Sequence, residues 1–227
     1  MTTVALLSTS DTDLLSARSA GADYVVGNPA RLTDEQIAER VARADIVVVR
    51  YLGSPQGLWE GFADLRSASA PLVVLGGTQE PDAALMELST VPPGTAAEAH
   101  RYLAEGGPAN LAQLHAFLGD TLLLTGEGFE APQVLPQWGV LDREDPATLP
   151  DGRTRPRVGV LIYRAQYAAG NTDYAHALCD AIYGALAEGE QHRGAVDHRR
   201  ETPQHPPHLG LGIGGAHPVH VSLDCHA

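Results

Sequence analysis

Ser8, Thr9, Ser10, Asp11 and Asp13 crowd the end of a short apolar run, TVALLS (3–8). Arg50 and Tyr51 close a second such run, and Gly76, Gly77 and Thr78 follow a third. If the three runs are parallel strands of one sheet, these residues meet at its carboxyl edge, where ligands of open α/β sheets bind. Hydroxyls, carboxylates and one guanidinium would make a polar cleft with a cationic arm. Turn chemistry accounts for the same residues, with Asp and Ser as caps and glycines for positive φ. The cleft candidates are therefore Ser8, Thr9, Ser10, Asp11, Arg50, Gly76 and Gly77. Asp11 and Asp13 also form a carboxylate pair of the kind that holds a metal or a phosphoryl group. No Walker partner lies near them, and a chain without lysine has no GxxxxGK[ST] loop.

Other groups with chemical potential are less well arranged. His176 and Cys179 are spaced i, i+3, but two ligands do not complete a zinc site. The C-terminal stretch holds His205-x-x-His208, His217-x-x-His220, Cys225 and His226, which match no closed zinc pattern. Gly210, Gly212, Gly214 and Gly215 follow no predicted strand and open no helix, so they are not read as a nucleotide loop. His100 and His115 fall on predicted helices and read as hydrogen-bonded helix-face histidines. No Ser-His-Asp order, nucleophile elbow or CxxC occurs. No catalytic residue and no metal ligand is assigned.

Composition narrows the classes. All fifteen basic residues are arginine, and the formal charge is −13. An acidic chain repels phosphate backbones, which argues against nucleic acid as a partner. Without lysine there is no Schiff-base nucleophile. No apolar run approaches the ~18–20 residues of a membrane span. The N-terminus lacks a basic n-region, and two cysteines make no disulfide framework. These features point to a cytoplasmic protein.

The elements that must position the candidates alternate in type. TVALLS reads as a buried strand, followed by a helix capped at Asp11 and ending near Gly21. DYVVGNPARLT holds a short extended run and a turn. Thr33 and Gln36 form a capping box at the start of a helix with Ile37, Val41 and Ala44 on one stripe. DIVVVRYL (45–52) and LVVLGG (72–77) are further buried strands, with a helical stretch at 55–68 between them. Helices are expected at 81–88, at 94–105 and from Pro108 onward. The pattern predicts an α/β fold: an N-terminal Rossmann/flavodoxin-like parallel sheet with added helices over 1–126, the helical part being 80–120. Five prolines mark 127–156 as a linker. RVGVLIYRA (157–165) and NTDYAHALCDAIYGALAE open an incomplete second α/β unit, 157–189, with Tyr174, Leu178, Ala181, Ile182 and Leu186 on one helix side. Composition then changes. Residues 190–227 carry seven of the ten histidines, and their acids and arginines nearly cancel. They are expected to form an irregular tail.

Four segments carry a resemblance: STSDTDLLSAR (8–18), the block ELSTVPPGTAAEAHRYLAEGGPANLAQLHAFLGDTLLLTGEGFEAP (87–132), WGVL (138–141) and VGVLIYRAQYAAGNTDYAHALCDAI (158–182). In these words and their order, residues 1–186 resemble the N-terminal region of aerobic cobaltochelatase large subunits, relatives of the magnesium chelatase large subunit. The resemblance implies an ATP-dependent enzyme that inserts Co2+ into a corrin precursor, hydrogenobyrinic acid a,c-diamide, in aerobic cobalamin biosynthesis. It implies partnership with separate AAA+ motor subunits that hydrolyse the ATP. It also implies a family subunit several times longer, so this chain is expected to be inactive alone and to hold no cofactor. Arg164, Asn171 and Thr172 match the second block, and Arg164 and Asn171 join the cleft candidates. The family pattern stops near the composition break, which suggests a frameshift around residues 183–192. The alternatives are a non-catalytic module that binds tetrapyrrole or the motor subunits, a magnesium chelatase-type fragment, and an unstable truncation product.

Overall fold

The computed structural model describes residues 2–136, 138–140, 157–193 and 220–226. Two compact units divide it: Met1–Leu135 with Ala168–Gly170, and Pro136–Tyr167 with Asn171–Ala227.

The first unit is built on four short apolar strands. They are β1 (Val4–Ser8), β2 (Tyr24–Gly27), β3 (Ile46–Tyr51) and β4 (Leu72–Gly76). All pair in parallel, in the order β2-β1-β3-β4. Residues buried on both faces of a sheet need continuous apolar runs, and β1, β3 and β4 supply them. Side chains alternate between faces. Val4 and Leu6, Ile46 and Val48, and Val73 and Leu75 belong to one core. Ala5 and Leu7, Val47 and Val49, and Leu72 and Val74 belong to the other.

Helices cover both faces. The first core is closed by α1 (Asp11–Ser19) and by the last two helices of the unit. The second is closed by α2 (Asp34–Val41), α3 (Phe62–Ser67) and α4 (Ala83–Met86), through Ile37, Phe62, Leu65 and Leu85. α2 begins with the expected capping box, Thr33 and Gln36 satisfying each other's backbone N–H. The helical expectation at 55–68 resolves into a 3-10 turn (Pro55–Gly57) and α3, with Trp59 edge-on to Phe62. The helices on the first core are α5 (Pro93–Glu105) and α6 (Pro108–Leu123), separated at Gly106 and Gly107, both at positive φ. Tyr102, Leu103, Leu111, Leu114 and Leu118 are almost wholly buried there.

Two features could not be read as strands or helices. The free edge of β4 is closed by side chains: Thr90 Oγ1 accepts from Leu72 N–H (2.8 Å), and Ser89 Oγ accepts from Val74 N–H (2.8 Å). Thr90 N–H returns a bond to Leu72 C=O. This satisfies an edge that would otherwise invite another strand. Residues 129–135, within the stretch read as linker, are bonded to α5 and α6. Phe129 packs on Phe117 (5.1 Å), and Tyr102 Oη donates to Glu130 C=O. Asn110 bridges Gln133 through both its C=O and its N–H (2.9 and 2.7 Å). The remainder of the expected linker, 141–156, lies outside the described residues.

The second unit contains β5 (Gly139–Val140), β6 (Arg157–Tyr163), all but the last residue of α7 (Arg164–Ala168), α8 (Asp173–Arg193) and β7 (His220–His226). Its sheet order is β5-β7-β6, with β7 antiparallel to β6. The final residues thus form a strand where an irregular tail was expected: HVSLDCH alternates in character and supplies a ladder to β6. The rest of that expectation, over 194–219, lies outside the described residues. The buried face of α8 also differs from the expected one. Ala175, Cys179 and Ile182 meet Val160 and Ile162, while Tyr174 and Leu178 are exposed. Small residues at i and i+4 let the helix lie close to the strand, and the larger side chains one position earlier turn outward.

Candidate functional site

Strand parity decides where Arg50 goes. It shares a face with Ile46 and Val48, so it points toward α1 rather than out of the sheet edge. On α1, Asp13 and Ala17 are buried at i, i+4, which places a carboxylate opposite the guanidinium. Arg50 Nη1 donates to Asp13 Oδ1 at 2.7 Å, and both side chains are under 8% exposed. The remaining donors meet carbonyls: Nε to Gly76 O (3.4 Å) and Nη2 to Gly77 O (3.2 Å). Ser8 Oγ donates to the second oxygen of Asp13 at 2.6 Å and accepts from Ser10 N–H at 3.0 Å. The cationic arm of the expected cleft is therefore turned inward, against a counter-charge. A buried ion pair of this kind is tolerated only because each charge finds several partners.

The other strand-end residues are tied into the same edge. Thr9 Oγ1 accepts from Leu52 N–H (2.9 Å), which clamps the β1 and β3 loops together. Ser10 is the N-cap residue of α1, with Asp11 its first residue, so the cap lies one position before the expected one. Gly76 and Gly77 are not in the left-handed region. A Cβ on Gly77 would lie 2.9 Å from Leu52 Cα, and one on Gly76 would lie 2.9 Å from Asp82 Cβ. These glycines permit close packing of strand-end loops, which a search for positive φ would not find.

His100 of α5 closes this region. Its Nε2 is 3.2 Å from Thr78 O. Burial holds its pKa below the ordinary histidine value; the Thr78 carbonyl opposes this, and the charge of Arg50 reinforces it. His115 of α6 makes the matching bond to Thr2 O at 3.0 Å, with Tyr24 edge-on to its ring. Burial raises the Tyr24 pKa, and its hydroxyl donates to Leu111 O.

Asp11 stands apart from its neighbours in sequence. It faces the surface and pairs with Arg31 at 2.8 Å. It lines an open cavity of about 440 Å3 together with Arg18, Asn28, Arg31, Arg40 and apolar residues of α1, β2 and the following loop. Sequence reasoning missed Arg18, Asn28, Arg31 and Arg40. The signal available was the α1 stripe Asp11, Leu14, Leu15, Arg18, which is one helix face.

Arg164 and Asn171 belong to the second unit. Arg164 is buried at the start of α7 and donates through Nε to Pro136 O (3.0 Å). Asn171 is exposed, and its backbone N–H ends α7 by donating to Gln166 O (2.9 Å). Among the described residues, no group of three or more His, Cys, Asp or Glu is placed to hold a metal ion. None of their helices is long and apolar enough to cross a membrane.

Comparison with known proteins shows what the chain is similar to. Residues 100–187, from α5 through most of α8, match the model of the family described as CobN/Magnesium Chelatase. The chain is 28% identical over 184 residues to the aerobic cobaltochelatase subunit CobN of Pseudomonas aeruginosa, covering 74% of this chain and 15% of that one. It matches the structure of the catalytic subunit of cobaltochelatase from Mycobacterium tuberculosis with 48% identity and a TM-score of 0.66, over 81% of this chain and 15% of that one. Residues 100–187 are thus similar to the CobN/Magnesium Chelatase family, and the chain spans about 15% of the length of these two relatives.

Proposed function

We propose that this chain is a portion of a cobaltochelatase large subunit, acting in the cytoplasm in aerobic cobalamin biosynthesis. In the assembled enzyme the subunit would hold a corrin precursor, hydrogenobyrinic acid a,c-diamide, while Co2+ enters and two pyrrolic protons leave. Separate AAA+ motor subunits would hydrolyse the ATP. The 48% identity to a cobaltochelatase catalytic subunit, carried over 81% of the chain, is the observation that supports this reading most. The family description includes magnesium chelatases, but both relatives named above are cobaltochelatases, which favours cobalt.

Metal insertion needs a cavity that distorts the macrocycle and a group that takes up the protons. The strand-end residues of the first unit are poor candidates for either task. Arg50, Asp13 and Ser8 are engaged with one another, and the glycines serve packing. We therefore place this portion in support of the subunit, with insertion requiring residues beyond these 227. The test is a titration of the purified chain with the corrin precursor, followed by addition of Co2+, ATP and the motor subunits. Binding of precursor or of motor subunits without cobalt insertion is expected. Insertion by this chain would contradict the supporting role, and binding of neither would contradict the reading as a working portion of the enzyme.

A further inference from the structure

We infer that the cavity between α1, β2 and α2 is a binding site for a small organic polycarboxylate. This inference does not depend on the cobaltochelatase reading. Three arginines, Arg18, Arg31 and Arg40, and a single acid, Asp11, line the cavity, a local net charge of +2. The whole chain carries −13, so this is a focus of positive potential on an acidic molecule. Its volume of about 440 Å3 lies within the ordinary range for small-ligand sites.

Each arginine is presented by an identifiable local structure. Arg18 comes from the α1 stripe that also supplies Asp11 and Leu14. Arg31 ends a turn opened by Asn28 and Pro29: its N–H donates to Asn28 O at 2.9 Å, and Asn28 Oδ1 accepts from Ala30 N–H at 3.0 Å. Arg40 lines the cavity from α2. It donates through Nε to Val26 O (3.2 Å) and through Nη1 to Gln36 O (2.8 Å), which orients its guanidinium without neutralising it. Gly27 makes room for it, since a Cβ there would meet Arg40 Cδ at 3.1 Å and Leu32 Cδ1 at 2.6 Å.

A further observation calls for a ligand. Asn28 is only 9% exposed and lines the cavity. Its side-chain oxygen is used in the turn, but its amide N–H groups have no hydrogen-bond partner among the described residues. A buried donor of this kind requires an acceptor. Guanidinium forks match carboxylates in geometry, and the apolar wall formed by Leu14, Val26 and Leu32 suits the carbon body between them. A bare inorganic anion would leave that wall uncovered.

Calorimetric titration of the full chain with citrate tests the site, with inorganic phosphate as the compact control. Citrate is expected to bind with an affinity that falls as salt rises. Arg18→Gln and Arg31→Gln are each expected to weaken it about tenfold, as loss of a charge-assisted hydrogen bond does. Gly27→Ala keeps every charge and displaces Arg40, so it is expected to weaken binding severalfold while the circular dichroism spectrum stays native. Displacement of citrate by the corrin precursor would assign the carboxylates to arms of the macrocycle; failure of the precursor to compete would assign them to a free polycarboxylate. Absence of citrate binding at millimolar concentration, equal affinity for phosphate, or unchanged affinity in both arginine variants would overturn the inference.

Discussion

The first unit uses arginine in two opposite ways. Arg50 is under 8% exposed, paired with Asp13 and bonded to two carbonyls. Arg31, some twenty residues upstream, is 68% exposed and shares a single bond with Asp11. Both ion pairs join an arginine to an acid of α1, and the distances are nearly equal. Burial separates them. At Arg50 the dielectric is low, the partners are many and the side chain is committed to the fold. At Arg31 water screens the pair and the guanidinium retains free donors for a ligand. A cation at a sheet edge is therefore not a binding residue by position alone.

Removal of one partner from the buried pair should give the largest effect. Arg50→Met strands the Asp13 carboxylate and is expected to cost about 3–5 kcal/mol in urea unfolding. The double variant Arg50→Met/Asp13→Leu should recover much of that loss, since no buried charge is then left alone. An equal loss in both would mean that Arg50 acts by packing and not by charge.

A smaller effect is expected at the adjoining glycine. Gly77→Ala forces a Cβ against the Leu52 backbone, and overpacking of this kind costs about 1–3 kcal/mol. Unchanged stability would show that the β3 and β4 loops can move apart.

His100 supplies the pH dependence. Its pKa is held below the value of 6.5 that an unfolded histidine has. The unfolded chain therefore binds a proton first as pH falls. The stabilising contribution of neutral His100 is full above 6.5 and is lost as pH falls from there through the folded pKa. Urea midpoints measured across that window should drop more for the wild type than for His100→Gln. Parallel slopes would remove the histidine from the account.

The smallest effect belongs to the exposed pair. Arg31→Gln should change stability by less than about 1 kcal/mol, and by less still at high salt. A larger loss would mean that the Asp11–Arg31 pair is structural, like its buried counterpart, and would narrow the contrast.

Much of the first unit was legible because its strands are continuous apolar runs bounded by polar turns. β2 was harder. YVVG is four residues long and only half-buried, and an edge strand of that kind shows as an extended run and not as a member of the sheet. On α8, the larger side chains Tyr174 and Leu178 pointed to the wrong face, because close packing against β6 selects the small residues Ala175 and Cys179. The positions of Ser8, Thr9, Arg50, Gly76 and Gly77 at one sheet edge followed from the sequence. Their inward engagement required two facts together: the parity that puts Arg50 with Val48, and the helix register that buries Asp13. The pocket arginines were missed because Arg18, Arg31 and Arg40 lie on three different elements, and no linear spacing links them.

The most direct test of the division between a structural and a binding arginine is citrate titration of the Arg50→Met/Asp13→Leu double variant. If the buried pair serves only the fold, a folded double variant should bind citrate as the wild type does. A folded double variant that no longer binds would show that the buried pair belongs to the binding site and would contradict the account.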